Sequence, residues 1–93
     1  MHIQQQDDGK KGSFFIQQEA EQLALMTYRW TAPNVFTIDH TEVDAVLEGK
    51  GIGKQLVARA VAFAREKSSR IVAQCSFAKA IIDKTPEFQD VLK

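Results

Sequence analysis

The sequence predicts an α/β (α+β) fold built on a mixed sheet, in which an N-terminal antiparallel meander is followed by a central helix, a parallel strand and a C-terminal helix. In the first half, apolar and polar residues alternate in short runs separated by turn residues, which is typical of antiparallel strands. From about residue 51 to residue 67, apolar residues recur every three or four positions, which is typical of an amphipathic helix. A last short apolar run follows this helix and is placed to return as a parallel strand.

The first half is expected to contain four antiparallel strands. They are predicted at residues 3–6, 13–17, 22–30 and 35–43. Asp8 and Gly9 suit a tight turn between the first two, because glycine tolerates the positive φ that hairpin turns require. Pro33, which cannot donate a ladder hydrogen bond, marks the break before the fourth strand.

The fourth strand alternates strictly between its two sides. Phe36, Ile38, His40 and Glu42 are expected on one side, and the intervening residues on the other. Because Phe36 and Ile38 are apolar, this side is predicted to face the core. His40 is then either a core histidine bonded to a backbone carbonyl or a functional group at the edge of the core.

The second half is expected to begin with a helix of about four turns over residues 51–67, ended by two serines. Residues 70–75 form a short buried strand, which the helical crossover is long enough to return parallel to the fourth strand. Ser76 is predicted to cap a final helix over residues 77–84, and Pro86 to start a last turn.

The composition is that of an ordinary globular chain. Its 93 residues, 44% hydrophobic and 26% charged, predict one domain over residues 1–93. Twelve basic residues balance twelve acidic ones, which argues against nucleic-acid binding. No apolar run approaches the roughly 20 residues that cross a bilayer, and residues 1–6 lack a signal-peptide pattern, so we expect a cytoplasmic protein without membrane contact. Cys75 is the only cysteine, and no Cys/His spacing predicts a metal site.

The turn between the fourth strand and the central helix carries the strongest functional signal. Its residues 48–54 have the sequence EGKGIGK. Alternating glycines let a ligand approach the backbone, and the first amides of the following helix favour an anion, most simply a phosphate. The nucleotide-hydrolase loop is excluded because Gly53-Lys54 is followed by Gln55, and the dinucleotide fingerprint is excluded because the glycines are evenly spaced.

This loop, together with HTEV at residues 40–43 and CSFAK at residues 75–79, resembles the GNAT superfamily of acyl-CoA-dependent N-acetyltransferases. The likeness is to a small, single-domain (minimal) branch and spans about residues 12–93. It implies acetyl-CoA (coenzyme A) as cofactor and an amine acceptor, either a small molecule or a protein. The cofactor would lie where the strand ending at Val43 splays from the strand ending at Cys75, with an amide near Val43 polarising the thioester carbonyl.

The resemblance also implies a set of cofactor-binding residues. They are Val43, Gly49, Lys50, Gly51, Ile52, Gly53, Lys54, Phe77 and Lys79. The amides of residues 50–54 would hold the pyrophosphate, with Phe77 and Lys79 on its far side. Glu48 departs from the family pattern, which usually has Arg or Gln there. A carboxylate beside a pyrophosphate is repelled by roughly a kcal/mol at short range, so Glu48 is expected either to weaken CoA binding or to point to solvent.

Three residues are catalytic candidates: His40, Glu42 and Cys75. His40 would take the proton of the amine, since imidazole titrates near neutrality, and Glu42 would orient it or remain solvated. Cys75 is expected to face His40 across the cleft, as a nucleophile forming an acetyl-enzyme, as a proton donor to CoA, or as buried filler. The tyrosine that many GNAT enzymes use as acid is missing, because the only tyrosine, Tyr28, lies in the meander.

Two classes of function therefore remain open. The first is an acetyl-CoA-dependent N-acetyltransferase that transfers directly or through Cys75. The second is a non-catalytic CoA-binding or protein-interaction module with a degenerate GNAT fold, which Glu48 and the missing tyrosine favour. Release of free CoA from acetyl-CoA in the presence of amines distinguishes them. The sequence predicts neither the acceptor nor the oligomeric state.

Overall fold

The structure is a computed structural model that describes residues 2–93. Within this range the strands are β1 (Gln4–Asp7), β2 (Lys11–Gln18), β3 (Glu21–Ala32), β4 (Val35–Val43) and β5 (Arg70–Ala73). The α-helices are α1 (Ile52–Glu66) and α2 (Ser76–Lys84), and short 3-10 helices span Ala45–Leu47 and Pro86–Val91. The strands form one sheet in sequence order, with four antiparallel strands followed by β5 parallel to β4. The predicted fold class and order of elements are confirmed.

One face of the sheet packs against both helices. In β3, Ala24, Met26 and Tyr28 are buried on this face, while Thr27 and Arg29 of the opposite face are more accessible. The apolar face of α1 is buried against the sheet as its periodicity predicted, by Ile52, Leu56, Val57, Ala60, Val61 and Ala64. These residues and those of α2 join the sheet in one hydrophobic cluster. None of the helices in residues 2–93 is long and apolar enough to span a membrane.

An aromatic group fills the core beside the edge strand. The fully buried ring of Tyr28 lies 4.9 Å from Phe36 and 6.0 Å from Phe63, between ring centres. Its hydroxyl donates to Asp7 at 2.6 Å, and Trp30 Nε1 donates to the same carboxylate at 3.0 Å. Burial and the neighbouring carboxylate raise the pKa of Tyr28. These two hydrogen bonds tie the exposed carboxylate of Asp7 in β1 to the aromatic core.

The strict alternation predicted for β4 is wrong beyond Ile38. Ile38 pairs with Tyr28, but His40, two residues on, pairs with the adjacent Thr27, so Asp39 is an extra residue in β4. Such a β-bulge moves every later side chain to the other face of the sheet.

The consequence of the bulge is that Thr41, rather than His40, lies on the helix-covered face. Thr41 pairs with the buried Met26, and side chains of directly paired residues share a face. His40 instead lies on the opposite face with an exposed side chain. The prediction that His40 shares a side with Phe36 and Ile38 is therefore wrong, and so is its alternative as a core histidine.

The start of α2 also differs from the prediction. Cys75, with extended backbone angles, is the N-cap of the helix, and Ser76 is its first helical residue. The reason is that the amides of Gln74 and Cys75 both donate to the carbonyl of Ile38 at 3.0 Å. These two bonds hold the chain extended through Cys75, so helical geometry begins only at Ser76.

Candidate active site

The glycine loop presents free amides at the start of α1. Gly51 is the N-cap and has a left-handed φ of 68°, and the first intrahelical bond runs from the Gln55 amide to the Gly51 carbonyl at 3.1 Å. The amides of Ile52, Gly53 and Lys54 therefore precede the first intrahelical bond, and Gly51 offers no side chain to cap them. Such amides suit an anion. The Lys50 amide differs, because it donates to the Leu47 carbonyl at 3.3 Å.

The three glycines of the loop have different roles. Gly49 and Gly51 have φ values of 81° and 68°, and a Cβ on either would meet no other atom within 4 Å. Gly53 is helical, and a Cβ there would lie 2.5 Å from Cε1 of the Phe77 ring. Unlike the other two glycines, Gly53 does not have a positive φ. Its missing side chain makes room for Phe77, which joins the loop to the start of α2.

A cavity of about 540 Å³ opens over this loop. It is bounded by seven of the residues expected to bind the cofactor, namely Val43, Gly49, Gly51, Ile52, Gly53, Lys54 and Phe77. Glu48 is exposed on the same rim, so a carboxylate does border the cavity. Two larger depressions, of about 680 and 780 Å³, lie on the polar sheet face and beside Trp30, away from the glycine loop.

Lys79 does not reach this cavity. Its Nζ pairs with Asp83 at 2.8 Å, one turn further along α2. The residue borders a separate depression of about 160 Å³ between α2 and β5, together with Ile82 and Leu92. Lys50 likewise does not border the cavity over the loop.

Cys75 lies where β4 and β5 part. Their parallel pairing ends at Ile38 with Ala73, and β4 continues for five more residues without a partner on that side. The half-buried Cys75 thiol lies across this gap from Thr41, with Sγ 3.4 Å from the Thr41 hydroxyl. The gap between the two strands that the family resemblance implied is present, although β5 ends at Ala73 and not at Cys75.

The surroundings of Cys75 favour its ionised form. Partial burial raises the pKa of the thiol, but hydrogen bonds outweigh this effect and hold the pKa below its usual value. The thiol donates to the Thr41 hydroxyl, and the amides of Thr41, Phe77 and Ala78 are placed to donate to the thiolate. A cysteine at the N-terminal end of a helix is favoured as thiolate for the same reason.

The fold does not place the His40 side chain near Cys75. Its Nε2 lies 3.1 Å from a Glu42 carboxylate oxygen, so the expected contact between these two residues is present, but both side chains are about 60% exposed on the opposite sheet face. The expectation that His40 and Cys75 face each other is wrong. Sequence reasoning instead missed Thr41, because period-2 alternation carries no signal for the bulge that turns it toward the thiol.

A family comparison agrees with this geometry. Residues 13–91 match the family described as GCN5-related N-acetyltransferase. The chain is also similar to a GCN5-like candidate N-acetyltransferase from Staphylococcus aureus, known from its NMR solution structure. The two are 38% identical with a TM-score of 0.77, and the likeness covers 97% of this chain and 87% of that one. No functionally curated protein is significantly similar in sequence.

Two more distant solved structures share the fold. The ribosomal-protein-alanine N-acetyltransferase from Brucella melitensis biovar Abortus 2308 is 17% identical with a TM-score of 0.67, covering 84% of this chain and 62% of that one. The IAA acetyltransferase from Bacillus cereus ATCC 14579 is 24% identical with a TM-score of 0.63, covering 81% and 53%. Because the family model and the Staphylococcus aureus protein each match most of its length, this chain belongs to the GCN5-related N-acetyltransferase (GNAT) family.

Proposed function

We propose that this protein is an acetyl-CoA-dependent N-acetyltransferase that transfers the acetyl group to an amine through Cys75. The observation that carries the proposal is the position of the Cys75 thiol. It lies in the cleft between β4 and α2, next to Phe77, whose ring also borders the cavity over the glycine loop. Cys75 does not itself border that cavity, but Phe77, two residues further on, does. The start of α2 thus connects amides suited to phosphates with a nucleophile suited to acyl transfer.

The residues around the cavity fit a phosphate-bearing donor. The amides of Ile52, Gly53 and Lys54 are free to bind an anion, and Lys54 adds a positive charge. Gly49 and Gly51 leave the approach to the loop open. Val43 and Phe77 supply apolar walls.

The transfer balances without an external base at the thiol. The Cys75 thiol loses its proton to solvent water, the thiolate attacks the acetyl carbonyl, the bond from that carbon to the sulfur of CoA breaks, and CoA leaves as a thiolate that takes up a proton from solvent. The acceptor amine then attacks the Cys75 thioester, its proton passes to solvent water, the bond from the acetyl carbon to Sγ breaks, and the Cys75 thiolate returns. His40 is not used at the thiol, since its imidazole lies on the other sheet face.

Mass spectrometry tests the covalent step directly. Brief incubation with acetyl-CoA and no acceptor should add one acetyl group to Cys75 and release one CoA per chain. Cys75→Ser should keep CoA binding and lose the adduct. Turnover of an amine panel without any adduct would leave direct transfer, and CoA binding without either would make the protein a non-catalytic CoA-binding module, the role that Glu48 at the rim favours.

A matched pair of variants tests the loop. Gly51→Val should abolish CoA binding, because a β-branched residue is strained at φ 68° and its side chain stands in the approach. Gly9→Val is the control, since Gly9 has φ 89° and equally open surroundings in the turn between β1 and β2. Equal CoA affinity in the two folded variants would contradict the loop assignment.

A further inference from the structure

Thr41 makes two separate approaches to the Cys75 sulfur. Its hydroxyl oxygen lies 3.4 Å from Sγ. Its amide points the same way. The Asp44 amide donates across to Leu23 of β3 at 2.8 Å, and because amides alternate along a strand, that of Thr41 is directed to the side where β5 has ended. Both groups of Thr41 therefore face the cleft.

The backbone fixes Thr41 in this place. Thr41 follows the bulge at Asp39 and pairs with the buried Met26, and the residues before the bulge are buried in the core. From the other side, two amides bonded to the Ile38 carbonyl hold the chain that carries Cys75. The main chain of neither residue can shift without breaking regular β4 pairing or the bonds at the start of α2.

We propose that Thr41 is a positioning residue that holds the Cys75 sulfur in the cleft and favours its thiolate form for acyl transfer by hydrogen bonding. The effect of Thr41 on catalysis rests on the proposed function, but its effect on the ionisation of the Cys75 thiol does not. A hydroxyl suits this role because it both accepts and donates. It can accept a hydrogen bond from the thiol and, once the thiol has lost its proton to solvent, rotate to donate a hydrogen bond to the thiolate, while the amide remains a donor.

The charged side chains on the surrounding elements do not support the Cys75 thiolate, so this role falls to Thr41. On β4, His40 and Glu42 pair with each other on the opposite sheet face. On β3, Arg29 pairs with Asp39. On α2, Lys79 pairs with Asp83, and on α1, Lys54 lies exposed at the glycine loop. Within residues 2–93, none of these groups hydrogen-bonds to Sγ, so neutral donors support the thiolate.

The test measures the rate of Cys75 alkylation by iodoacetamide against pH, without acetyl-CoA. Thr41→Val keeps the shape and removes the hydroxyl, so its rate at pH 7 should fall several-fold and its midpoint should move to higher pH. Thr41→Ser should restore both. Thr27→Val is the matched control on β3, where the hydroxyl bonds Asp39 on the opposite face, and it should leave the alkylation profile unchanged.

Two results would overturn the proposal. One is an alkylation midpoint in folded Thr41→Val equal to that of the wild type, and the other is failure of Thr41→Ser to restore it. If Thr41→Val does not fold, the wild-type protein alone still tests the proposal. A wild-type alkylation midpoint at or above the pKa of free cysteine excludes activation by Thr41. A shifted thiol without acetyl transfer would refute the proposed function alone, and transfer with an unshifted thiol would refute only the role of Thr41.

Discussion

The contact between Gly53 and Phe77 can be measured as a coupling free energy. A Cβ at residue 53 would lie 2.5 Å from the Phe77 ring, against 3.4 Å for an ordinary contact, so Gly53→Ala must displace the ring by about 1 Å. Phe77 is 45% exposed, and loss of its remaining packing costs about 1 kcal/mol. Ala in place of Gly in a helix gains up to about 1 kcal/mol. The two effects should nearly cancel in the wild type.

The same substitution should behave differently once the ring is gone. In a Phe77→Ala background, Gly53→Ala should raise the free energy of unfolding by about 1 kcal/mol, since only the helix-propensity gain remains. The expected coupling of about 1 kcal/mol exceeds the roughly 0.3–0.5 kcal/mol within which independent sites add. Urea denaturation of the four proteins measures it.

Gly51→Ala provides the control for this cycle. Its cost, about 1 kcal/mol, arises from the left-handed φ of 68° and not from any neighbouring atom, so it should be the same with or without Phe77. If Gly53→Ala stabilises the wild type and the Phe77→Ala variant equally, residue 53 does not contact the Phe77 ring. The glycine loop is then not connected to α2 through that ring.

Four further predictions concern single side chains. Glu48→Arg should tighten CoA binding, with a gain that shrinks as salt rises, and a salt-independent affinity in calorimetry would show that residue 48 faces away from the phosphates. Tyr28→Phe should lower the free energy of unfolding by about 1 kcal/mol, because the exposed carboxylate of Asp7 loses the hydrogen bond from the tyrosine hydroxyl but can be hydrated. The pKa of Asp7 is depressed, since hydrogen bonds from Tyr28, Gly9 and Trp30 outweigh partial burial, so its stabilisation is present above about pH 4 and lost as the pH falls through the lower folded value. The wild type should therefore lose more stability than Asp7→Asn between pH 5 and about pH 2, and parallel curves would contradict this. His40→Ala should change the free energy of unfolding by less than about 0.5 kcal/mol and leave Cys75 alkylation unaltered, as expected of an exposed side chain on the other face.

Most of the fold could be predicted from the sequence because its elements have strong local patterns. The bounds of β4 are those that alternation and Pro33 indicated, and the buried face of α1 follows its three- and four-residue spacing. The glycine loop could be located for a similar reason, since its backbone requirements are local. Sequence resemblance to GNAT proteins then supplied the family, which the comparisons confirm.

The parts that could not be predicted depend on contacts between distant segments. One inserted residue at Asp39 exchanges the faces of His40 and Thr41, and its position depends on the pairing with β3. Gly53 resembles a ligand-binding glycine, but its Cβ is excluded by Phe77, 24 positions further on. Ser76 has the better capping side chain, yet the Ile38 carbonyl decides where α2 begins.

The hydrogen bond from Trp30 to Asp7 makes tryptophan fluorescence a probe of the edge strand β1. Trp30 is the only tryptophan, and its indole is held between the core rings and the carboxylate of β1. Indole emission shifts to longer wavelength when the ring is exposed to water. Detachment of β1 should therefore shift the emission maximum, while α1 and its circular dichroism signal remain unchanged. Edge strands open at lower cost than central ones. Fraying of this sheet and global unfolding can therefore be followed as two separate signals in one unlabelled sample.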